Sequence, residues 1–326
     1  MSKLRYIVFI LFVGLIPHAS LAEQGMAIDP ATCLGCHSDR FSIHDFAASV
    51  HGKNACTSCH IDITDLARHM KKEIKVQKVQ CERCHKRENA EHYASVHIAK
   101  GVMCSNCHTD IHTHTYWKKD KRKVVAICVQ CHDKKSVYRK SVHGKGVEAG
   151  NPDAAACHDC HNLHEIKQYG TLSTHATKEF HIKVCIRCHS DDTMMRRNKV
   201  FNVAVKSYMD SFHGKNFSLG FSNKVAGCAD CHSAHDILPR RDPASTINPA
   251  NIVKTCAQCH PHATASFAKF YAHGEPSNRE KFPILFYTFV GMTGLLVSTF
   301  AVFWVHTLLW MFRGFIENRD KRYKPH

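Results

Sequence analysis

The chain carries two long apolar stretches, one near each end, and a mostly polar region lies between them. Residues 284–312 form the longer stretch, and these 29 residues contain no Lys, Arg, Asp or Glu. An α-helix of about 20 apolar residues spans a bilayer, so this stretch is long enough to cross one. Because Pro283 suits the first turn of a helix, we predict a transmembrane helix over residues 283–312.

The shorter apolar stretch, residues 6–16, lies near the N-terminus behind Lys3 and Arg5. Small residues follow it and end at Ala22. A basic start, a short apolar run and small residues before a cleavage point are typical of a secretory signal peptide. We therefore predict a signal peptide over residues 1–22. The alternative is an uncleaved membrane anchor, for which the apolar run is short.

Basic residues cluster directly after the predicted transmembrane helix. Lys and Arg are enriched on the cytoplasmic side of membrane segments, which predicts a cytoplasmic basic tail over residues 313–326. Residues 23–282 then lie in the periplasm, in agreement with a signal peptide. We predict a protein of the cytoplasmic (inner) membrane whose main domain faces the periplasm. The basic residues of the tail are Arg313, Arg319, Lys321, Arg322 and Lys324.

The periplasmic region contains short segments in which apolar residues recur at helical spacing, such as residues 191–214 and 263–274. Segments rich in Pro, Asn and Asp, such as residues 151–156 and 238–251, predict loops or linkers. The expected fold class is therefore mostly α with long loops, little sheet and one C-terminal transmembrane helix.

The cysteines and histidines add chemistry to this outline. The chain has 18 cysteines and 28 histidines, and every cysteine belongs to one of nine C-x-x-C-H motifs. This motif is the attachment signature of a c-type haem: two thiols bond to the porphyrin and the adjacent histidine binds the iron. Paired C-x-x-C motifs also form zinc sites, but zinc would not require a histidine after every second cysteine. We predict nine covalently bound haem c groups.

The attachment residues have the same spacing in all nine motifs. The predicted haem thioether residues are Cys33, Cys36, Cys56, Cys59, Cys81, Cys84, Cys104, Cys107, Cys128, Cys131, Cys157, Cys160, Cys185, Cys188, Cys228, Cys231, Cys256 and Cys259. The predicted proximal iron ligands are His37, His60, His85, His108, His132, His161, His189, His232 and His260. With roughly one motif per 29 residues between positions 22 and 281, a conventional core has little room, so we expect the haems to form the core.

The nine motifs belong to an internal repeat. One unit consists of a motif, an S-x-H-G-type segment and a second motif, and it occurs four times before a final half unit. We predict four two-haem repeats plus one half repeat. The units begin at Cys33, Cys81, Cys128, Cys185 and Cys256.

The S-x-H-G-type segments suggest where the second iron ligands come from, because a bis-histidine haem needs a distal histidine as well as the proximal one. A second class of histidines follows the even-numbered motifs, and the two classes together supply one distal ligand per haem. His44 competes with His69 for this role, and His114 competes with His112. The glycine after the histidine is expected to let backbone pass close to a porphyrin face. The predicted distal ligands are His51, His97, His143, His213 and His273 of the first class, and His69, His112, His164 and His235 of the second.

Taken together, these residues resemble the membrane-anchored multihaem c-type cytochromes of anaerobic respiration, which share their style of motif with class III cytochromes c. The resemblance is carried by KVQCERCH, SVHG and CADCHSAHDI, and it covers about residues 30–275. It implies haems that lie in a chain in near contact and a protein that moves electrons.

The formal charge of +16 alone would suggest a nucleic-acid partner. Each haem carries two propionates, however, so nine haems would bring the charge close to neutral. The excess Lys and Arg are better explained as partners of the propionates, and we expect no nucleic-acid binding.

Two functions are compatible with these motifs. The first is a redox relay, not itself an enzyme, that takes electrons from a polytopic quinol-oxidising or cytochrome b-type membrane subunit, or from the quinol pool, and passes them to periplasmic or outer-membrane redox proteins. The second is a reductase of a small nitrogen or sulfur compound, which needs one iron with an open position. Nine distal candidates for nine haems favour the relay.

His306 lies inside the predicted membrane helix. An ionisable residue within a membrane segment is a functional candidate by default. It could bind a b-type haem shared with a partner subunit or lie beside a quinone. The alternative is a neutral histidine near the cytoplasmic interface beside Trp304 and Trp310.

Overall fold

The computed structural model describes residues 28–116, 120–132, 135–169 and 174–322. The predicted signal peptide, residues 1–22, and the end of the basic tail, residues 323–326, lie outside these ranges. Across the described residues the secondary structure consists of α-helices and 3-10 turns, joined by loops, with no strand. The predicted fold class is confirmed.

Most of the helices are short, and several are capped at the N-terminus by a side chain. Asp191 Oδ1, for example, accepts hydrogen bonds from the backbone N–H groups of Thr193 and Met194, both at 2.9 Å. Such caps satisfy the free N–H groups of a helix but do not make a short helix stable in water. Stability must therefore come from packing against other groups.

The described chain divides into two compact units. The first contains Met1–Ala90 and Val102–Tyr116. The boundary at residue 90 falls inside helix α5, Lys86–Tyr93. The other helices of this unit are α1 (Pro30–His37), α2 (Ile43–Ala48), α3 (Cys56–Cys59), α4 (Leu66–Met70) and α6 (Cys104–Cys107), with a 3-10 turn at Cys81–Arg83.

The second unit contains Glu91–Gly101 and Trp117–His326. Three 3-10 turns lie at Ile98–Lys100, Ser222–Lys224 and Phe267–Lys269. Its helices are α7 (Lys121–Cys128), α8 (Lys135–Lys140), α9 (Val142–Glu148), α10 (Cys157–His161), α11 (Thr174–His189), α12 (Asp192–Arg197), α13 (Ala204–Asp210), α14 (Phe212–Ser218), α15 (Cys228–His232), α16 (Ile252–Ala257) and α17 (Pro283–Arg322).

Most local expectations agree with these bounds. Residues 191–214 form α12, α13 and α14, and residues 151–156 and 238–251 are loops. Residues 263–274 form only one 3-10 turn instead of a helix. Their aromatic side chains contact other elements, since the ring of Phe267 lies 4.9 Å from that of His260. Tertiary contacts here override the local periodicity.

The protein side chains form only a small apolar core of their own. One cluster contains Val125, Val147, Ala154 and Ala156, with Tyr138 packed against it. Ile182 and Val125 are the largest fully buried apolar side chains among the described residues. A chain of this length normally buries far more, which agrees with an interior built around haem.

The longest element is α17, whose apolar composition and length suit a membrane span over Pro283–Asp320. It is the one such helix found in the described part of the chain, and it is consistent with a membrane anchor. The helix runs beyond residue 312, where we placed its end, to Arg322. An ion pair one turn apart supports this extension: Arg313 Nε lies 2.7 Å from Glu317 Oε1.

Candidate haem-binding sites

In two S-x-H-G-type segments, those of His143 and His213, the serine caps the helix that carries the histidine. Ser141 Oγ accepts a hydrogen bond from Gly144 N at 3.0 Å and caps α9, and Ser211 Oγ accepts one from Gly214 N at 3.3 Å and caps α14. An N-cap serine stabilises a helix start by about 1 kcal/mol. The ligand histidine therefore lies on the first turn of a capped helix.

The glycine after the histidine lies against the helix that precedes it. A Cβ on Gly144 would lie 2.1 Å from the carbonyl oxygen of Tyr138, and one on Gly214 would lie 2.1 Å from that of Tyr208. Both carbonyls belong to the preceding helix, α8 or α13. The missing side chain therefore lets two consecutive helices touch backbone to backbone.

Four S-x-H-G-type histidines face the first motif of the following repeat. The distances between ring centres are 5.9 Å for His51–His85, 6.0 Å for His97–His132, 6.1 Å for His143–His189 and 6.3 Å for His213–His260. Each repeat thus places a histidine opposite the first proximal histidine of its successor.

Two histidines of the second class face the opposite way along the chain. The ring of His112 lies 6.2 Å from that of His60, and the ring of His235 lies 6.0 Å from that of His161. His60 and His161 belong to the second motif of the preceding repeat. Repeats 1 and 2, and likewise repeats 3 and 4, therefore exchange histidines in both directions.

Backbone hydrogen bonds follow the same exchange. The residue before the ligand histidine donates its N–H to a carbonyl that follows the second motif of the next repeat. The three bonds join Val50 to His114, Val96 to Ile166 and Val142 to Ile237, each at 2.9 Å. The exchange is thus fixed by main chain as well as by side chains.

Two further pairs involve the first and the eighth motif. His69 lies 6.3 Å from His37, ring centre to ring centre, and His273 lies 6.1 Å from His232. His44, which competed with His69 in the sequence, has a side chain that is 91 % exposed. The first motif thus faces a histidine of its own repeat, and the eighth motif faces a histidine of the final half unit.

The ring spacing fits one iron between two imidazoles. Two nitrogens that bind one metal at about 2 Å each lie about 4 Å apart, and the ring centres lie about 1 Å further out on each side. The expected distance between the two ring centres is therefore about 6 Å. In eight motif histidines the ring centre lies 5.9–6.3 Å from that of a predicted distal histidine. In the described residues no group of three or more His, Cys, Asp or Glu could hold a metal ion. Two imidazoles leave the remaining positions of an iron to the four nitrogens of a porphyrin.

The motif histidine His108 has a different neighbour. Its ring lies 5.3 Å from that of His114 in an edge-on arrangement, and His114 Nδ1 lies 3.1 Å from Asp110 Oδ1. The remaining predicted distal ligand, His164, has its Nδ1 3.4 Å from Glu91 Oε2. The His108–His114 spacing is shorter than that of the other eight pairs.

Burial keeps two of the paired histidines in the form that binds metal. It lowers the pKa of His143 to about 4, with a further contribution from the facing His189. It also lowers the pKa of His232 to about 4, with a contribution from His273. Both imidazoles are neutral at physiological pH, and the neutral ring is the one with a free nitrogen lone pair.

Two ion pairs that we did not foresee from the sequence hold the second motifs of repeats 3 and 4. Asp159 Oδ2 accepts a hydrogen bond from Ala156 N at 2.8 Å and lies 2.9 Å from Lys121 Nζ. Asp230 makes the equivalent bond with Gly227 N at 2.7 Å and pairs with Lys178. The signal available in the sequence is the aspartate before the second cysteine of CHDCH and CADCH.

The attachment cysteines lie close to those of neighbouring motifs. The first cysteines of the two motifs in a repeat lie close enough to shift each other's thiol pKa, as in Cys128–Cys157 and Cys185–Cys228. The same contact joins Cys33 to Cys56 and Cys81 to Cys104. Between repeats, the second cysteines of consecutive motifs interact. The pKa of Cys59 is raised first by burial and second by the nearby Cys84 thiol. Consecutive motifs are therefore neighbours in space within each compact unit.

Comparison with known proteins adds a family to this geometry. Residues 96–176 match the family described as cytochrome c3. No curated protein and no solved structure matches the chain. The matched segment runs from the second S-x-H segment into α11 and contains three of the C-x-x-C-H motifs. The match and the cysteine motifs together support a multihaem c-type cytochrome with covalently bound haem that transfers electrons.

Proposed function

We propose that this protein is a periplasm-facing, membrane-anchored cytochrome with nine haems that relays electrons. The observation that carries the proposal is the pairing of eight motif histidines with a second histidine at the spacing of one shared iron. A haem whose two axial positions are both filled transfers electrons without binding substrate, since substrate chemistry needs an open position. Bound haem supplies reversible one-electron chemistry, and the chain closes the iron to other ligands.

The order of the attachment sites supports a relay along the chain. Contacts between cysteines link each motif to the next one within both compact units, as described above. Cys160 and Cys188 continue the series between repeats 3 and 4, and Cys231 lies near Cys256. We infer that the haems of residues 33–108, and those of residues 128–260, follow one another in sequence order.

The proposed organisation follows the sequence outline. Residues 1–22 direct export, residues 23–282 form the periplasmic haem domain, and α17 anchors it with the tail in the cytoplasm. Electrons come from a polytopic quinol-oxidising or cytochrome b-type partner or from the quinol pool, and they leave to periplasmic or outer-membrane redox proteins in anaerobic respiration. His306 lies on α17, where it would face such a partner or the lipid.

The first test is the number of haems. We expect the intact mass of the purified protein to exceed that of the mature chain by nine haem units, because all nine motifs carry both cysteines and the histidine. Mass spectrometry of the denatured protein measures this, since only covalent haem remains. A count below eight, or zinc instead of iron, contradicts the proposal.

The second test is the spin state of one haem. His143→Ala should leave all nine haems attached but convert one of them, the haem of His189, from low spin to high spin. Electron paramagnetic resonance and the absorption spectrum detect this change. His44→Ala is the matched control, because that side chain is 91 % exposed and should leave the spectrum unchanged.

The same spectra separate the relay from a reductase. A wild-type protein that is low spin throughout supports the relay. A high-spin haem in the wild type that binds nitrite or sulfite would instead favour the reductase. An unchanged low-spin spectrum in His143→Ala would show that another residue ligates that iron.

A further inference from the structure

The residues directly before α17, and Leu285 in its first turn, contact the haem domain. Phe282, directly before the helix, is 9 % exposed, and its ring lies 5.4 Å from that of Tyr271. Lys281 Nζ lies 4.2 Å from the ring centre of Phe201. Phe286 N donates to Phe282 O at 3.0 Å, so the helical hydrogen bonds begin within this contact. The anchor therefore leaves the domain as a packed element.

One predicted distal ligand lies on this contact. The ring of His273 faces that of His232 at 6.1 Å, and His273 Nδ1 lies 3.2 Å from Ser207 Oγ. A Cβ on the next residue, Gly274, would lie 2.6 Å from Leu285 Cδ1 and 3.2 Å from Tyr271 Cβ. The backbone beside the ligand therefore touches the first turn of the membrane helix.

This glycine differs from the glycines in the other segments of its type. Gly52, Gly144 and Gly214 each face backbone carbonyls of the helix that precedes them. Gly274 instead faces a side chain of α17, and its φ does not lie in the left-handed region. Gly274 thus leaves room for the Leu285 side chain, and a larger residue there would have to displace Leu285 or Tyr271.

We propose that Gly274 and Leu285 are positioning residues that couple the membrane helix to the eighth haem, the one attached at Cys228 and Cys231. The proposal rests on the proposed function and deepens it. A ligand one residue away from a contact with the first turn of the anchor lies near the start of the membrane span, and the exposed side chain of Tyr271 is of the kind enriched at that interface. A redox partner that contacts the anchor therefore acts directly on the axial ligand of this haem.

The experiment compares three variants of the full-length protein: Gly274→Val, Leu285→Ala and the double variant. Valine adds a Cβ and two methyl groups. The added Cβ alone would already lie 2.6 Å from Leu285 Cδ1 and 3.2 Å from Tyr271 Cβ. We expect Gly274→Val to displace His273, so that one of nine low-spin haems becomes high spin or shifts its midpoint potential. The double variant should recover most of the wild-type signal, because alanine at position 285 returns the space. Leu296→Ala is the matched control, since Leu296 is exposed on the same helix and should change nothing.

Each outcome decides the proposal. A wild-type spectrum in Gly274→Val, or a defect that Leu285→Ala does not relieve, overturns it. If Gly274→Val does not accumulate, Leu285→Phe enlarges the same contact from the side of the helix and must alter the same haem; an unaltered spectrum overturns the proposal. Failure of the proposed function is seen separately, as a wild-type protein with fewer haems or without low-spin iron.

Discussion

Deletion of residues 283–326 is expected to abolish reduction of the haems by quinol in membranes. The truncated protein should be a soluble periplasmic protein that keeps nine covalent haems and still accepts electrons from a chemical reductant. One helix is too little to enclose a quinone, because ligand sites bury most of a ligand of that size. The quinone site should therefore lie mainly on a partner to which α17 docks.

The measurement is haem reduction, followed by absorption, after quinol is added to membranes that contain either form. A second truncation, of residues 291–326, keeps the first two turns of α17 and so retains the contact between Leu285 and Gly274. It should lose quinol-dependent reduction in the same way but keep the wild-type spectrum of the eighth haem. Reduction of the soluble form by quinol at the native rate would show that the anchor is only a tether.

Replacement of Gly144 by alanine is expected to destabilise the domain strongly for the addition of a single methyl group. The new Cβ would lie 2.1 Å from the carbonyl oxygen of Tyr138 and 2.7 Å from the Cα of Arg139. Both atoms are backbone, so no side-chain rotation relieves the clash and α8 must separate from α9. Overpacking of this kind typically costs about 1–3 kcal/mol, and we expect the upper end of that range.

The checks for this variant are its Tm by circular dichroism and the spin state of the haem of His189. Gly214→Ala should behave in the same way, because its Cβ would lie 2.1 Å from the carbonyl oxygen of Tyr208. Gly314→Ala is the control: it lies in α17, nothing lies within 4 Å of its Cβ, and the Tm of this variant should not fall. Equal melting of Gly144→Ala and Gly314→Ala would show that the two helices do not need this contact.

The sequence predicted the chemistry of the sites better than it predicted which distal histidine faces which motif histidine. The motif C-x-x-C-H has a fixed local geometry, so its chemistry could be inferred from spacing alone, and helical periodicity located α12 to α14 and α17. Which distal histidine faces which motif depends on contacts between residues far apart in the chain, such as His143 with His189 or His235 with His161. No local pattern encodes those pairings, although the same pairing recurs from one repeat to the next.

Other features escaped prediction because their neighbours are not local. Gly144 fits a porphyrin contact and a helix contact equally well in the sequence, and only the position of Tyr138 separates the two. The pair of Lys121 with Asp159 joins residues that no periodicity connects. The segment around Phe267 has helical spacing, but its rings bind to other elements. In each case a tertiary contact outweighed the local signal.

In the function proposed above, the exchange of histidines between neighbouring repeats imposes an order of assembly during export. An exported chain would emerge N-terminus first, so His143 would already be in the periplasm when the motif of His189 arrives, and that site could close at once. The motif of His161 must wait for His235, which belongs to the next repeat. The second site of such a repeat therefore stays one ligand short until its neighbour has crossed the membrane. The site of His232 closes late, because His273 emerges just ahead of the anchor itself.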